Sequence, residues 1–268
     1  MSETLASFLL PVRNATESTM ISLRSIKDTA SNTIPYEILI RFDDDDESYD
    51  SLIPQVQELF EGTMAEVTVV IGPRHGYEGL HHYYNELAKL SVGKLLLLWN
   101  DDVQILKVKS GWNVTGHGKD FPMYEFWDIL LQEDELNRED NINVLFPTEV
   151  YWQLPEAAPG VVYEKQITNL AFPILTRHAY EVLGHFAMSP LNDAYLLDIS
   201  IPYTNGIPTR KRSRLMLLHL PAFHEETGLS LRTDTPSYKL AYNLHYSQEV
   251  QDQGAEDREK LQKFWEAK

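Results

Sequence analysis

Residues 8–99 alternate between two textures, and this limits the fold more than any other feature of the chain. Residues 8–12, 36–42, 67–71 and 94–99 are short, nearly continuous apolar runs. Between them apolar side chains recur at helical spacing: Met20, Leu23 and Ile26, then Leu52, Val56, Leu59 and Phe60 at i, i+4, i+7 and i+8. A further helix is expected over 79–90. Strands alternating with helices require crossover connections and hence a mostly parallel sheet. Strands that are apolar on both sides suit a sheet covered on both faces.

After residue 103 the pattern loosens. A helix is expected over 124–132, strands over 143–146, 170–175 and 214–220, and a helix over 177–183. Residues 249–268 are highly charged, with Leu261, Phe264 and Trp265 as a thin apolar stripe. They read as a helix that docks weakly on the body. No repeat or linker divides the chain, so the expected organisation is one domain over 1–248, with halves at 1–103 and 104–248, and the charged helix after it.

Composition narrows the function. Lys and Arg number 23 against 40 Asp and Glu, a net charge of −17. Broad neutralisation of nucleic-acid phosphates needs a basic surface, so no nucleic-acid partner is expected. There is no cysteine, which removes disulfides, zinc–thiolate sites and thiol nucleophiles together. The polar residues 1–6 lack the pattern of a secretory signal, and no apolar run reaches the roughly 20 residues needed to span a bilayer. The expectation is a cytoplasmic protein with no integral membrane segment, in which the sequons at Asn14 and Asn113 are chance matches.

In open α/β sheets ligands bind beyond the carboxyl ends of the strands. Three polar features fall at such ends: Pro11-Val12-Arg13-Asn14, Asp43-Asp44-Asp45-Asp46 and Asn100-Asp101-Asp102. An acidic run is commonly just a solvated loop. Carboxylates gathered at one sheet edge repel one another, however, and a hard cation would relieve that. Oxygen ligands suit Mg²⁺ or Mn²⁺.

The order of these features resembles the family 2-type nucleotide-sugar glycosyltransferases of the GT-A (nucleotide-diphospho-sugar transferase) fold. The resemblance lies in the opening strand with its proline and asparagine (Pro11, Asn14), in Leu23-Arg24-Ser25-Ile26, and in the strand ending at Asp43-Asp44. It continues through Gly76, Gly79, Asn85, Ala88 and Gly93 to the acidic turn at Asn100-Asp101-Asp102. It closes with Leu183-Gly184-His185-Phe186 ahead of Asn192-Asp193, and covers roughly residues 6–200. Two positions depart from the family pattern: Asn100 stands where an Asp-x-Asp motif begins, and Asn192-Asp193 replaces a Glu-Asp pair.

The resemblance implies a metal-dependent, inverting transferase moving a sugar from a nucleotide-sugar donor, UDP-linked by family precedent, to an acceptor hydroxyl on a glycan, lipid-linked or protein molecule. The nucleotide would meet Pro11, Arg13, Asn14, Arg74, Asn85, Asp101 and one or more of Asp43, Asp44 and Asp45. Asp102 would hold the cation directly, with His224 as a second ligand better placed than His219. Asp193 would be the general base; alternatively it only caps a helix beginning at Ala194. The basic cluster 210–214 is either a solvated loop or a lid over the donor diphosphate. His81, His82, Tyr83 and Tyr84 read as core and surface of a helix rather than as a site. Trp112, Trp127, Tyr151 and Trp152 are candidate platforms for acceptor sugars. The alternatives are a non-catalytic nucleotide- or sugar-binding protein derived from this fold, or a sugar nucleotidyltransferase, although Pro11-Val12-Arg13-Asn14 lacks the glycines of the latter's loop.

Overall fold

The computed structural model describes residues 3–108, 113–116, 119–122, 124–135, 142–147, 150–151, 162–164, 172–201, 203–204, 207–208, 215–218, 222–224 and 235–266. The basic cluster 210–214, His219, Trp112 and Trp152 lie outside them. The first half runs β1 (Ala6–Val12), α1 (Glu17–Thr29), β2 (Tyr36–Asp43), α2 (Tyr49–Phe60), β3 (Ala65–Gly72), a 3₁₀ turn (Tyr77–Gly79), α3 (Leu80–Leu90) and β4 (Leu95–Leu98). The second half adds β5 (Val103–Ile105), β6 (Asn113–Gly116), β7 (Lys119–Pro122), α4 (Phe126–Glu135), β8 (Val144–Pro147), β9 (Val150–Tyr151), β10 (Val162–Glu164), β11 (Ile174–Thr176) and α5 (Arg177–Leu183). It ends with α6 (Asn192–Ser200), β12 (Tyr203–Thr204), β13 (Ile207–Pro208), β14 (Leu215–Leu218), β15 (Ala222–His224), α7 (Pro236–His245) and α8 (Gln248–Glu266).

The central sheet has seven strands in the order β14-β8-β11-β4-β1-β2-β3. β1 pairs in parallel with β2 and β4, β2 with β3, and β8 with β14; β11 alone runs antiparallel, against both β4 and β8. All eight residues of β2 and all four of β4 are buried, as expected for strands covered on both faces. Phe8, Tyr36, Trp99, Phe126 and Trp127 meet at ring distances of 4.9–6.4 Å and form the aromatic centre of the core. Trp127 is therefore core, 3 % exposed, rather than a sugar platform.

Local chemistry sets the element ends. Thr176 caps α5 by accepting the Ala179 N–H, and Gly184 ends the helix at φ 80°, a left-handed value that costs glycine little. The expected weak docking of the C-terminal helix is not what is found. Leu261 is wholly buried, and so is the carboxylate of Asp257, which makes an anchor that is polar as well as apolar.

At the amino-terminal edge of the sheet, Glu37 is buried and accepts the Ser7 hydroxyl and the N–H groups of Val92 and Gly93, at 2.5–3.0 Å. Gly93 is needed there because a Cβ would lie 2.8 Å from the backbone of Ala6 and Ser7 and closer still to Ser7 Oγ. Backbone cannot swing aside, so Gly93→Ala is expected to cost on the order of 1–3 kcal/mol through overpacking. A thermal melt checks this, and an unchanged Tm would refute the packing argument.

Candidate functional site

The carboxyl ends of β4, β1 and β2 lie side by side and deliver the three polar features to one edge. Asn14 adopts φ 53° and donates its N–H to Asp46 Oδ2 at 2.8 Å, while Ser48 N–H reaches Oδ1 at 2.9 Å. Burial alone would raise the Asp46 carboxyl, but these bonds from Ser48 and Asn14 outweigh it and hold the group below the usual carboxylate range. Asp46 thus sews the loop after β1 to the loop after β2.

Asp43 is buried, and three side chains converge on it. Arg13 Nη1 lies 2.8 Å from Oδ2; Arg41 Nη1 lies 3.0 Å and the Tyr83 hydroxyl 2.8 Å from Oδ1. Arg41 is itself 1 % exposed; it also donates to Glu86 at 3.0 Å and to the Pro73 carbonyl at 2.6 Å, and stands over the Tyr83 ring. Gly72 leaves the room it needs, since a Cβ there would sit 2.9 Å from Arg41 Nη2. Tyr83 in turn accepts the N–H groups of His75 and Gly76. Arg13 forks onto Asp45 at 2.5 and 3.2 Å, which lowers the Asp45 carboxyl, and the exposed Arg74 stands 3.5 Å from the same carboxylate.

The aspartate run is therefore matched by arginines from within the chain. Part of the repulsion expected within it is relieved in this way: Asp43 and Asp45 are paired, and Asp46 is a loop clamp. Asp44 is exposed, and its carboxylate makes no ion pair among the described residues; its N–H extends the pairing to the Gly72 carbonyl at 2.8 Å. Pro11 lies opposite Arg41 in the β1–β2 register.

The acidic turn after β4 gathers around a tyrosine. Tyr84 is 1 % exposed, and its hydroxyl donates to Asn100 Oδ1 at 3.1 Å. The asparagine at position 100 thus offers Tyr84 a neutral acceptor, leaving Asp101 and Asp102 as the acidic pair of the turn. Thr19 on α1 reaches Asp101 at 3.5 Å. Burial first, then the negative charges of Asp101, Asp193 and Asp102, push the Tyr84 phenol far up. The charge of Asp193, from a remote part of the chain, is thus among those that act on Tyr84.

Asp193 lies inside the first turn of α6, which begins at Asn192 with Leu191 ahead of it, so the cap of a helix starting at Ala194 is not its role. Its Oδ1 accepts the Ala194 N–H at 2.8 Å. Burial raises its carboxyl despite that bond and the nearby His245. His245, on α7, is 1 % exposed, and its Nδ1 lies 2.8 Å from Ser189 Oγ. Burial lowers its imidazole, while Asp198 and Asp193 act the other way.

Asn85, expected at the nucleotide, is committed elsewhere. Its Oδ1 takes the N–H groups of Phe186 and Ala187 at 2.7 and 3.1 Å, and its Nδ2 donates to the Ala187 carbonyl at 2.6 Å. It fixes the loop after α5, which makes it a positioning residue. His224 lies opposite Val103 in the β15–β5 pair, so the backbone sets it beside the residue that follows Asp102. Among the described residues no three acidic or imidazole side chains group closely enough to hold a metal ion. Arg41, His245 and Asp257 have no role assigned from the sequence, and Tyr83 and Tyr84 read there only as part of a helix's core and surface.

No family model matches the sequence, and no curated protein does. Solved structures do resemble the fold. The structure of S. aureus TarS residues 1–349 matches 97 % of this chain and 81 % of its own, at 12 % identity and a TM-score of 0.52. A longer TarS structure matches at 13 % identity and a TM-score of 0.45, and this chain spans 37 % of its length. The mannosyltransferase PcManGT from Pyrobaculum calidifontis, solved with GDP-Man and Mn²⁺, matches 96 % of this chain and 74 % of its own at 11 % identity and a TM-score of 0.49. The chain has the GT-A fold, a mixed α/β architecture around a mostly parallel sheet. Among the described residues no helix is long and apolar enough to cross a membrane.

Proposed function

We propose that this protein is a nucleotide-sugar glycosyltransferase working by inversion, with residues 1–103 holding the donor and 104–248 the acceptor. The observation that carries the reading is that the Arg13–Asp43–Asp45 group and the Asn100–Asp102 turn, joined to α1 through Thr19 and to Tyr84 through Asn100, follow neighbouring parallel strands at the edge where α/β sheets bind ligands. Arg13, Asn14, Asp43 to Asp45 and Arg74 surround the donor's base, ribose and phosphates, and of these Asn14, Asp44, Asp45 and Arg74 are exposed. UDP rests on the sequence resemblance alone. The same reading takes the enzyme to be cytoplasmic and its acceptor to be a glycan, lipid-linked or protein hydroxyl.

A divalent cation fits the donor set. Mg²⁺-like ions are held by one or two carboxylates together with substrate phosphates and water, so Asp102, with Asp101 and His224 in support, would suffice. When bound, it would offset the charge that builds on the leaving diphosphate. Asp193 takes the proton of the acceptor hydroxyl as its oxygen attacks the anomeric carbon. The bond from that carbon to the diphosphate oxygen breaks on the opposite face, and the configuration inverts.

Thermal shift with UDP, GDP and their sugars, with and without Mn²⁺, tests this. A diphosphate at 100 times its Kd should stabilise the protein by about 2.7 kcal/mol. Asp102→Ala should lose the Mn²⁺-dependent part of that shift. Full metal dependence in the variant would remove Asp102 as the ligand, and no response to any diphosphate would remove the donor reading.

A further inference from the structure

Asp257 is a wholly buried carboxylate on α8, in a segment whose sequence looks like a solvated surface helix. Its Oδ2 accepts the hydroxyl of Tyr195 and lies 2.9 Å from His185 Nε2, a close contact that is not aligned as a hydrogen bond. Its Oδ1 takes Lys260 Nζ at 2.8 Å and Gln253 Nε2 at 3.1 Å. The neighbouring Arg258 donates to the Asp198 carbonyl at 3.0 Å. Tyr195 and Asp198 belong to α6, the helix that carries Asp193. His185 precedes Phe186, whose ring stacks on Tyr84 at 5.8 Å and whose N–H is held by Asn85.

One buried carboxylate thus ties together the two segments that flank the acidic centre: the 184–188 loop behind Tyr84 and the helix presenting Asp193. Apolar packing would anchor a helix at lower desolvation cost than a buried charge. What directional bonds add is a fixed position.

We propose that Asp257 is a positioning residue, holding α6 and the 184–188 loop in register so that Asp193 faces the donor edge. The assignment rests on the reading of Asp193 as the base. Misplacing a reacting group by about an ångström costs up to ~10²-fold in rate, so Asp257→Asn in the full chain should lower kcat by roughly 10- to 100-fold with donor KM unchanged. Hydrogen exchange should speed up over residues 184–200 and stay slow over β1, β2 and β4. Tyr195→Phe, which removes one bond of the set and leaves the aromatic ring in place, should show the same split to a smaller degree and decides the matter if Asp257→Asn does not fold. Unchanged kcat in a variant with faster exchange over 184–200 would overturn the proposal, as would loss of nucleotide binding together with turnover. Should Asp193→Asn retain turnover, the base reading fails, while the exchange pattern still reports whether Asp257 holds α6.

Discussion

Asp193→Asn is expected to cut sugar transfer by roughly two to four orders of magnitude, the usual weight of a general base, while nucleotide binding persists. The amide keeps the shape of the carboxylate and loses its basicity. Burial raises the Asp193 carboxyl, so kcat should climb as pH rises through that elevated value and then level off; the variant should lack this acidic limb. Stability should move the other way. A carboxyl whose folded pKa lies above its unfolded one binds its proton more tightly when folded, and this opposes folding once pH exceeds the unfolded value. Removing the charge at neutral pH should leave Tm unchanged or slightly higher. Steady-state transfer across pH, beside a thermal melt, separates a lost base from a damaged fold. Turnover equal to the parent's would take Asp193 out of the chemistry.

The second large effect is on stability. Arg41→Met should cost about 3–5 kcal/mol, because it strips a buried carboxylate of one partner. Asp43 would be left in the interior with Arg13 and Tyr83, and the Pro73 carbonyl would lose its donor. For a chain of this size Tm should fall on the order of 10 °C. Arg74→Met is the control. That side chain is 54 % exposed, and its partner Asp45 stands 3.5 Å away; exposed pairs of this kind contribute about 0–1 kcal/mol. Similar melts for the two variants would mean that the Arg41 cluster carries little of the stability.

Much of the first half was legible. The apolar runs and helical stripes over 8–99 anticipated β1 through β4 within a few residues, since burial on both faces leaves few places for polar side chains. The three sheet-edge features also met as expected. The internal partners of the acidic run were not foreseen, because the residues that neutralise it carry no local signal. Arg41 sits within an otherwise apolar strand, and Tyr83 and Tyr84 follow a helical period that reads as core. Asp257 was hidden for the opposite reason: one aspartate in a tail of charged residues looks solvated until His185 and Tyr195, over sixty residues earlier, arrive beside it. Asn100 could be placed at the turn, but its partner Tyr84 could not be named.

The single antiparallel strand of the sheet bears on how the chain is made. β1 to β4 are contiguous in sequence and adjacent in space, so they can assemble while the remainder is still being synthesised. The far side of β4 has no partner until Ile174–Thr176 leaves the ribosome and slots in between β4 and β8. During that interval the growing sheet presents Leu95–Leu98, four consecutive leucines, as an open edge. Unpaired apolar edges recruit other chains, so the nascent half-domain is the stage most exposed to aggregation and the one with most to gain from a chaperone.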